Sequence, residues 1–235
     1  MIASDRMLRW LCWSLIVFVI ISALLTLTLS VNPFGTYVDD TVVTDYVDRL
    51  LIFRGNDQLV YGLVLIGSLA SLMVYAIAAA LGPALRRLAG GSAATDLLAV
   101  VFIVGGGVGV AAQLANIGVG QAATNGYCDC GYKAYEVISQ AYALDIGWAV
   151  VFWLNLGAVS IVGIGAALTG WLVNLSRDFK IVSYLIALFL LVAVGLRFFG
   201  VFQLSDQVVG LTAGIGVPIW AFLLARGSVK LAAQT

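Results

Sequence analysis

Histidine is absent from all 235 residues. Its absence removes the usual ligand of haem and zinc and the usual proton carrier at neutral pH. Charge is nearly as scarce: 10% of positions are Asp, Glu, Lys or Arg, against roughly 25% in a soluble domain. The 12 cations and 12 anions cancel to zero net charge. Nucleic acid is therefore not an expected partner, because phosphate binding needs a clustered excess of Lys and Arg. Lysine is missing from the apolar runs as well: Lys133, Lys180 and Lys230 fall in connections or near the end, which disfavours retinal-type Schiff-base chemistry. The run "GGGVG" at 105–109 is no phosphate loop, since no strand precedes it and no Lys-Ser or Lys-Thr follows.

What the chain has in abundance is hydrocarbon, with 62% hydrophobic residues. Apolar runs fall at about 8–30, 58–82, 96–121, 140–173, 181–202 and 208–225. Each reaches the ~17–25 residues needed to cross a ~30 Å hydrocarbon core. The expected fold is all-α, a polytopic bundle of six transmembrane helices in a single domain, 1–235. The first run follows cations, as in a signal peptide, but it is long and no small-x-small cleavage pattern comes before "VNPFGTY", so it reads as a retained helix. Turn chemistry punctuates the runs: "NPFG", "LGPALRRLAGG", "NLSRDFK" and "QLSDQ". The fourth run is long enough to cross with tilt or to continue as helix beyond the membrane. Gly105 and Gly109, and Gly210 and Gly214, repeat at the interval that lets helix backbones approach, and Gly214 to Pro218 predicts a kink in the last span.

Cations set the direction. Arg6, Arg9, Arg86, Arg87, Arg177, Lys180, Arg226 and Lys230 fall on one side of the six crossings, eight of the 12 Lys and Arg. The positive-inside rule assigns that side, and both termini, to the cytoplasm of a cell-membrane protein. The two larger loops, 31–57 and 122–139, then face outward. Within the first, "YVDRLLIF" is apolar enough to lie as an amphipathic helix in the interface, as a cap over the bundle or a lid for a partner or ligand.

The second loop carries "GYCDCGYKAYEVISQAYALDIGW". Cys128 and Cys130 have one residue between them on what is expected to be the oxidising face. A bond within so short a segment is strained and reducible, so a local or partner-directed disulfide, a pair of free thiols and a metal pair all stay open. A metal would need further ligands from Asp129, Glu136 or another chain, and no metal site is expected from this chain alone. Cys12, near the opposite face, reads as a small packing residue. Tyr127, Tyr132, Tyr135, Tyr142 and Trp148 form an aromatic collar of the kind favoured at headgroup level.

Polar residues at membrane depth are the candidate site. Asp145 in the fourth run and Arg197 in the fifth are ionisable groups expected near the outer side, where they would pair or bracket a polar cavity. Gln113 and Asn116, three apart, share a helical face in the third run, and Asn155 lies deeper in the fourth. The plainer reading makes these five residues helix-to-helix hydrogen bonds and an ion pair.

The arrangement of one span, an outward loop, a span ending "AIAAALGPALRRL", a second outward loop and then three closely joined spans resembles bacterial six-helix integral membrane protein families of unknown function. The likeness extends to "GIGAALTGWLVNLSRDFKIVSYLIALFLLVAVG", two helices on a short basic turn. It implies an architecture and no activity, and the CDC segment is not part of it. No internal repeat of the transporter kind is evident.

Three functions compete. The leading expectation is a non-catalytic accessory or scaffold subunit of a membrane complex, with membrane lipids and a membrane-protein partner or a second copy as its contacts. The alternative is a small transporter, channel or ligand receptor with an outward-facing cavity near Asp145 and Arg197. Third is an intramembrane enzyme using Asp145 or Glu136 for proton transfer or the CDC pair for redox work, though no activated nucleophile or metal triad stands out and no catalytic residue is assigned. No cofactor is indicated; bound lipid, quinone or carotenoid would leave no motif.

Overall fold

The computed structural model describes residues 2–30, 57–125 and 134–232, which form helices and short turns with no strand among them. In chain order these are α1 (Ile2–Ser30), α2 (Asp57–Leu88), α3 (Ala93–Asn125), α4 (Ala134–Leu172) and α5 (Arg177–Phe198). A composite last span follows, built of α6 (Phe202–Leu211), a π-helical turn (Thr212–Gly216) and α7 (Val217–Ala232). Six segments are long and apolar enough to cross a membrane: Arg6–Leu25, Leu65–Leu88, Ala93–Val119, Ala149–Leu172, Arg177–Phe198 and Gln207–Val229. The 39 residues of α4 extend about 58 Å at 1.5 Å per residue. That exceeds a ~30 Å core even at the ~40° upper limit of tilt, so the fourth helix continues beyond the hydrocarbon.

Helix ends depart from the expected boundaries in two places. Both margins of the stretch read as loop 122–139 are helical, since α3 runs to Asn125 and α4 starts at Ala134. "YVDRLLIF", Cys128 and Cys130 lie outside the described residues. The second departure is at "LGPALRRLAGG", where the helix passes through Pro83 and ends at Leu88. Proline removes one N–H, its own, and here its ring sits on the exposed side of α2, where no neighbouring helix must accommodate it. The turn is made instead by Gly90 and Gly91, at φ 92° and 71°, a left-handed conformation that glycine adopts without penalty. Ser92 then opens α3: its carbonyl accepts the Thr95 and Asp96 N–H groups at 3.0 Å each and the Thr95 hydroxyl at 2.6 Å. Arg86 and Asp96 form an ion pair across this turn. The basic turn between α4 and α5 uses Ser176 as N-cap, its hydroxyl accepting the Phe179 N–H at 3.2 Å.

Neighbouring spans run antiparallel, as close approaches show. On α2 and α3, Gly82 meets Ala99 while Gly106 meets Tyr75 and Ala79. On α3 and α4, Gly105 meets Ile161 and Gly147 meets Val119. On α4 and α5, Gly163 meets Leu190 and Gly170 meets Ser183. Gly67 meets Leu25 of α1, and α1 also packs along the last span, with Ala23 near Gly214 and Trp13 edge-on to Phe222. The six spans therefore form a closed ring in chain order, first helix against last. The glycines divide differently from the expected spacing: Gly106 and Gly109 face Tyr75 of α2, Gly105 faces α4, and Gly210 has open space where a side chain would stand.

The core is apolar and aromatic. Leu8, Cys12, Leu81, Leu98, Phe179 and Leu224 from five helices are buried together. Trp220 of α7 stacks between Phe102 of α3 and Phe179 of α5, with ring centroids 6.4 and 5.9 Å away. Its indole N–H donates to Ser183 Oγ at 2.9 Å, and that hydroxyl donates to the Phe179 carbonyl at 2.8 Å. Outside, Leu69, Val100, Trp153 and Leu188 are among many large apolar side chains left exposed. In water such a surface would be untenable, but it is the one a helix presents to lipid.

Candidate functional site

Three side-chain hydrogen bonds link four successive helices. Ser22 of α1 and Ser71 of α2 share one at 2.8 Å. Asn116 Nδ2 of α3 donates to Ser68 Oγ of α2 at 2.9 Å. Gln113 Nε2 of α3 donates to Asn155 Oδ1 of α4 at 3.0 Å. Ser68 and Ser71, like Gln113 and Asn116, stand three apart and so occupy one face of their helix. The result is a polar belt passed from α1 to α4, one i, i+3 pair per inner helix. Ser68 and Gln113 are deeply buried, at 4% and 7% exposure, so both are removed from any surrounding solvent.

Arg197 continues the belt onto α5. Gly163 of α4 lies against Leu190 of α5, and seven residues further along each antiparallel helix bring Leu156 opposite Arg197, beside Asn155. The Arg197 guanidinium carbon stands 4.8 Å above the Phe152 ring of α4, a cation–π placement. Its Nε donates to Ser205 Oγ at 3.0 Å, and Ser205 Oγ donates to the Ala193 carbonyl at 2.7 Å. Local chain geometry brings Ser205 there. The Val201 N–H reaches back to the Leu196 carbonyl at 2.9 Å and the Gly200 N–H to the Arg197 carbonyl at 3.1 Å, with Gly200 at φ 76°. This pair of bonds closes α5 as a Schellman motif and folds α6 back beside it.

Four of the five expected residues, Gln113, Asn116, Asn155 and Arg197, thus fall along one level of the ring. Asp145 lies within α4, and its side chain is outside the described ones. Phe152, the aromatic partner of Arg197, is two helical turns further into α4 than Asp145. Ser22, Ser68, Ser71 and Ser205 were not among the expected residues. The spacing in "GSLAS" was a readable sign of Ser68 and Ser71, whereas nothing local marks Ser22 or Ser205.

The belt is internally satisfied: among the described residues, no buried side-chain nitrogen or oxygen lacks a hydrogen-bond partner. Amide and hydroxyl groups of this kind hold helices at a fixed rotation through their hydrogen bonds. Among the described residues, no three of Cys, Asp and Glu come together as a metal-ligand group. Cys12 is a fully buried thiol in the core, packed as a small apolar group. No protein-family model, curated protein or solved structure matches this chain.

Proposed function

We propose that this integral membrane protein is a non-catalytic accessory or scaffold subunit of a membrane complex, set in the cell membrane with its basic end in the cytoplasm. The observation that carries the reading is the use made of Gln113, Asn116 and Asn155. Each bonds to a side chain of a neighbouring helix, so the polar groups tie the ring together. A wide apolar exterior is then available to lipid or to another membrane helix. The orientation rests on Arg6, Arg9, Arg86, Arg87, Arg177, Lys180 and Arg226, all at the end where α1 and α3 begin and α2 and α4 finish. The test is purification from native membrane into nanodiscs, followed by intact mass measurement of everything retained. A membrane-protein partner in fixed stoichiometry is the expected result, and a chain that comes away alone overturns it.

One observation favours a second reading. Arg197 sets a cation within an apolar span, level with Asn155 and against the face of Phe152. With Asp145 it would bracket an outward polar cavity, as in a small transporter, channel or receptor for a zwitterion or other small polar solute. A bound small molecule in the same mass measurement, lost in Arg197→Gln, moves the assignment to this reading.

A further inference from the structure

The basic end has three corners of unequal charge. Where α2 meets α3, Arg86 and Arg87 stand with Asp96, for a net +1. Where α4 meets α5, Arg177 and Lys180 stand with Asp178, again +1. Where the first helix meets the last, the sequence of the two helix ends carries Arg6, Arg9, Arg226 and Lys230 against Asp5, for a net +3. No covalent turn joins the chain at this third corner, so it is the seam of the ring.

The seam has a definite geometry. Trp13 of α1 is edge-on to Phe222 of α7 with centroids 6.3 Å apart, and both rings are about half exposed, at 51% and 45%. Four residues toward the basic end of each antiparallel helix come Arg9 on α1 and Arg226 on α7, so the two cations stand level across the seam. Arg6 is one turn beyond Arg9 and is exposed, as is Arg226. Trp10, at 72% exposure, follows Arg9 in α1 near the basic end, and an exposed indole there is of the kind favoured at the headgroup level. Below the cations the same stripes carry only apolar groups, Val17 on α1 and Ile219 on α7.

We infer that the α1–α7 seam is a binding site for an anionic phospholipid, with Arg6, Arg9 and Arg226 on the phosphate headgroup and Trp13 and Phe222 beneath the acyl chains. Cations above, an amphipathic indole at the boundary and apolar rings below match the three layers of a lipid in order. Basic pockets between helices at the cytoplasmic face take such headgroups, and a net +3 complements their one or two negative charges. A lipid seated there would bridge the first and last helices, closing the ring where no loop does. The inference stands apart from the accessory-subunit reading, since it needs no protein partner.

The experiment places the full chain in nanodiscs of phosphatidylcholine alone or with phosphatidylglycerol, and reads retained lipid by native mass spectrometry and unfolding temperature in each disc. Wild-type protein is expected to keep phosphatidylglycerol and to unfold at a higher temperature in its presence. The double variant Arg9→Gln/Arg226→Gln should lose phosphatidylglycerol retention by about 25-fold, a factor of about five for each cation removed. It should also lose the thermal shift. Arg86→Gln/Arg87→Gln removes as many cations from another corner and should retain both effects, as should the charge-conserving Arg9→Lys/Arg226→Lys. Should the first double variant fail to fold in phosphatidylcholine, Arg6→Gln/Arg226→Gln, at two exposed positions, carries the same expectation. Unchanged retention in the seam variant, or an equal loss in the Arg86/Arg87 control, overturns the site.

Discussion

Gly106 and Gly107 are sequence neighbours with opposite surroundings. A side-chain carbon at Gly106 would fall 2.7 Å from the Ala79 Cβ and the backbone nitrogen of α2, whereas nothing lies within 4 Å at Gly107. Gly106→Ala is therefore expected to force α2 and α3 apart and to destabilise the protein by about 1–3 kcal/mol. Gly107→Ala should leave stability level or slightly raised, because alanine suits a helix better. Unfolding of both variants in detergent checks the pair, and an equal effect at the two positions contradicts the packing described. The Gln113–Asn155 bond allows a finer test. A double-mutant cycle with Gln113→Leu and Asn155→Leu should show a coupling of about 0.6 kcal/mol, and no more than about 1.7, the range for helix-to-helix bonds in membranes. Zero coupling would mean that the two amides act separately and that the belt is broken at α4.

The last span shows how one element accommodates conflicting local demands. Pro218 cannot donate a hydrogen bond, and in an α-helix its ring would press on the Gly214 carbonyl. The π-helical turn over Thr212–Gly216 widens the backbone there, with the Val217 N–H bonding to the Thr212 carbonyl five residues back and the Thr212 hydroxyl donating to the Val208 carbonyl at 2.7 Å. Where Gly214 to Pro218 predicts a kink, the backbone makes this wide turn. Its one extra residue sets the rotation of α7 relative to α6, and that rotation presents Trp220 to Phe102 and Phe179. Deleting Ile215, which is exposed, should restore α-helical bonding and turn α7 by about 100°. Trp220 then leaves its stack, with loss of the folded protein in detergent. Ile215→Ala, which keeps the chain length, should fold normally. Fluorescence-monitored size exclusion distinguishes them, and a well-folded deletion variant would show that the turn does not control the core.

At the scale of the whole molecule, the ring has two unlike ends, basic where α1 begins and α2 finishes, and acidic in sequence at the other, where Gly200 lies between α5 and α6 and the helices carry Asp57, Glu136, Asp145 and Asp206 against Arg197. With the basic end in the cytoplasm, a reporter cysteine at Gly200→Cys in a Cys12→Ser/Cys128→Ser/Cys130→Ser background should react with a membrane-impermeant thiol reagent in intact cells. Arg87→Cys in the same background should react only after lysis. The reverse pattern would invert the orientation and place the CDC segment in the cytoplasm.

The number, approximate limits and alternation of the spans were legible in the sequence, because an apolar run either is or is not long enough to cross a bilayer. The level of Gln113, Asn116, Asn155 and Arg197 was legible for a related reason: polar groups stand out against hydrocarbon, and position along a span reports depth. Partnership was not legible. Ser68 and Ser22 look alike in sequence, and only the antiparallel register of α1, α2 and α3 assigns one to Asn116 and the other to Ser71. The same holds for the Phe102–Trp220–Phe179 stack and for the closing of α1 against α7, which join residues more than 40 positions apart. Hydrophobicity is nearly uniform around α1, α3, α4 and α5, so it fixes that each of these helices crosses without saying which side faces inward. That rotation is decided by close approach at Gly106, Gly163 and Gly170 and by a few interhelical hydrogen bonds, and both exist only once the helices have met.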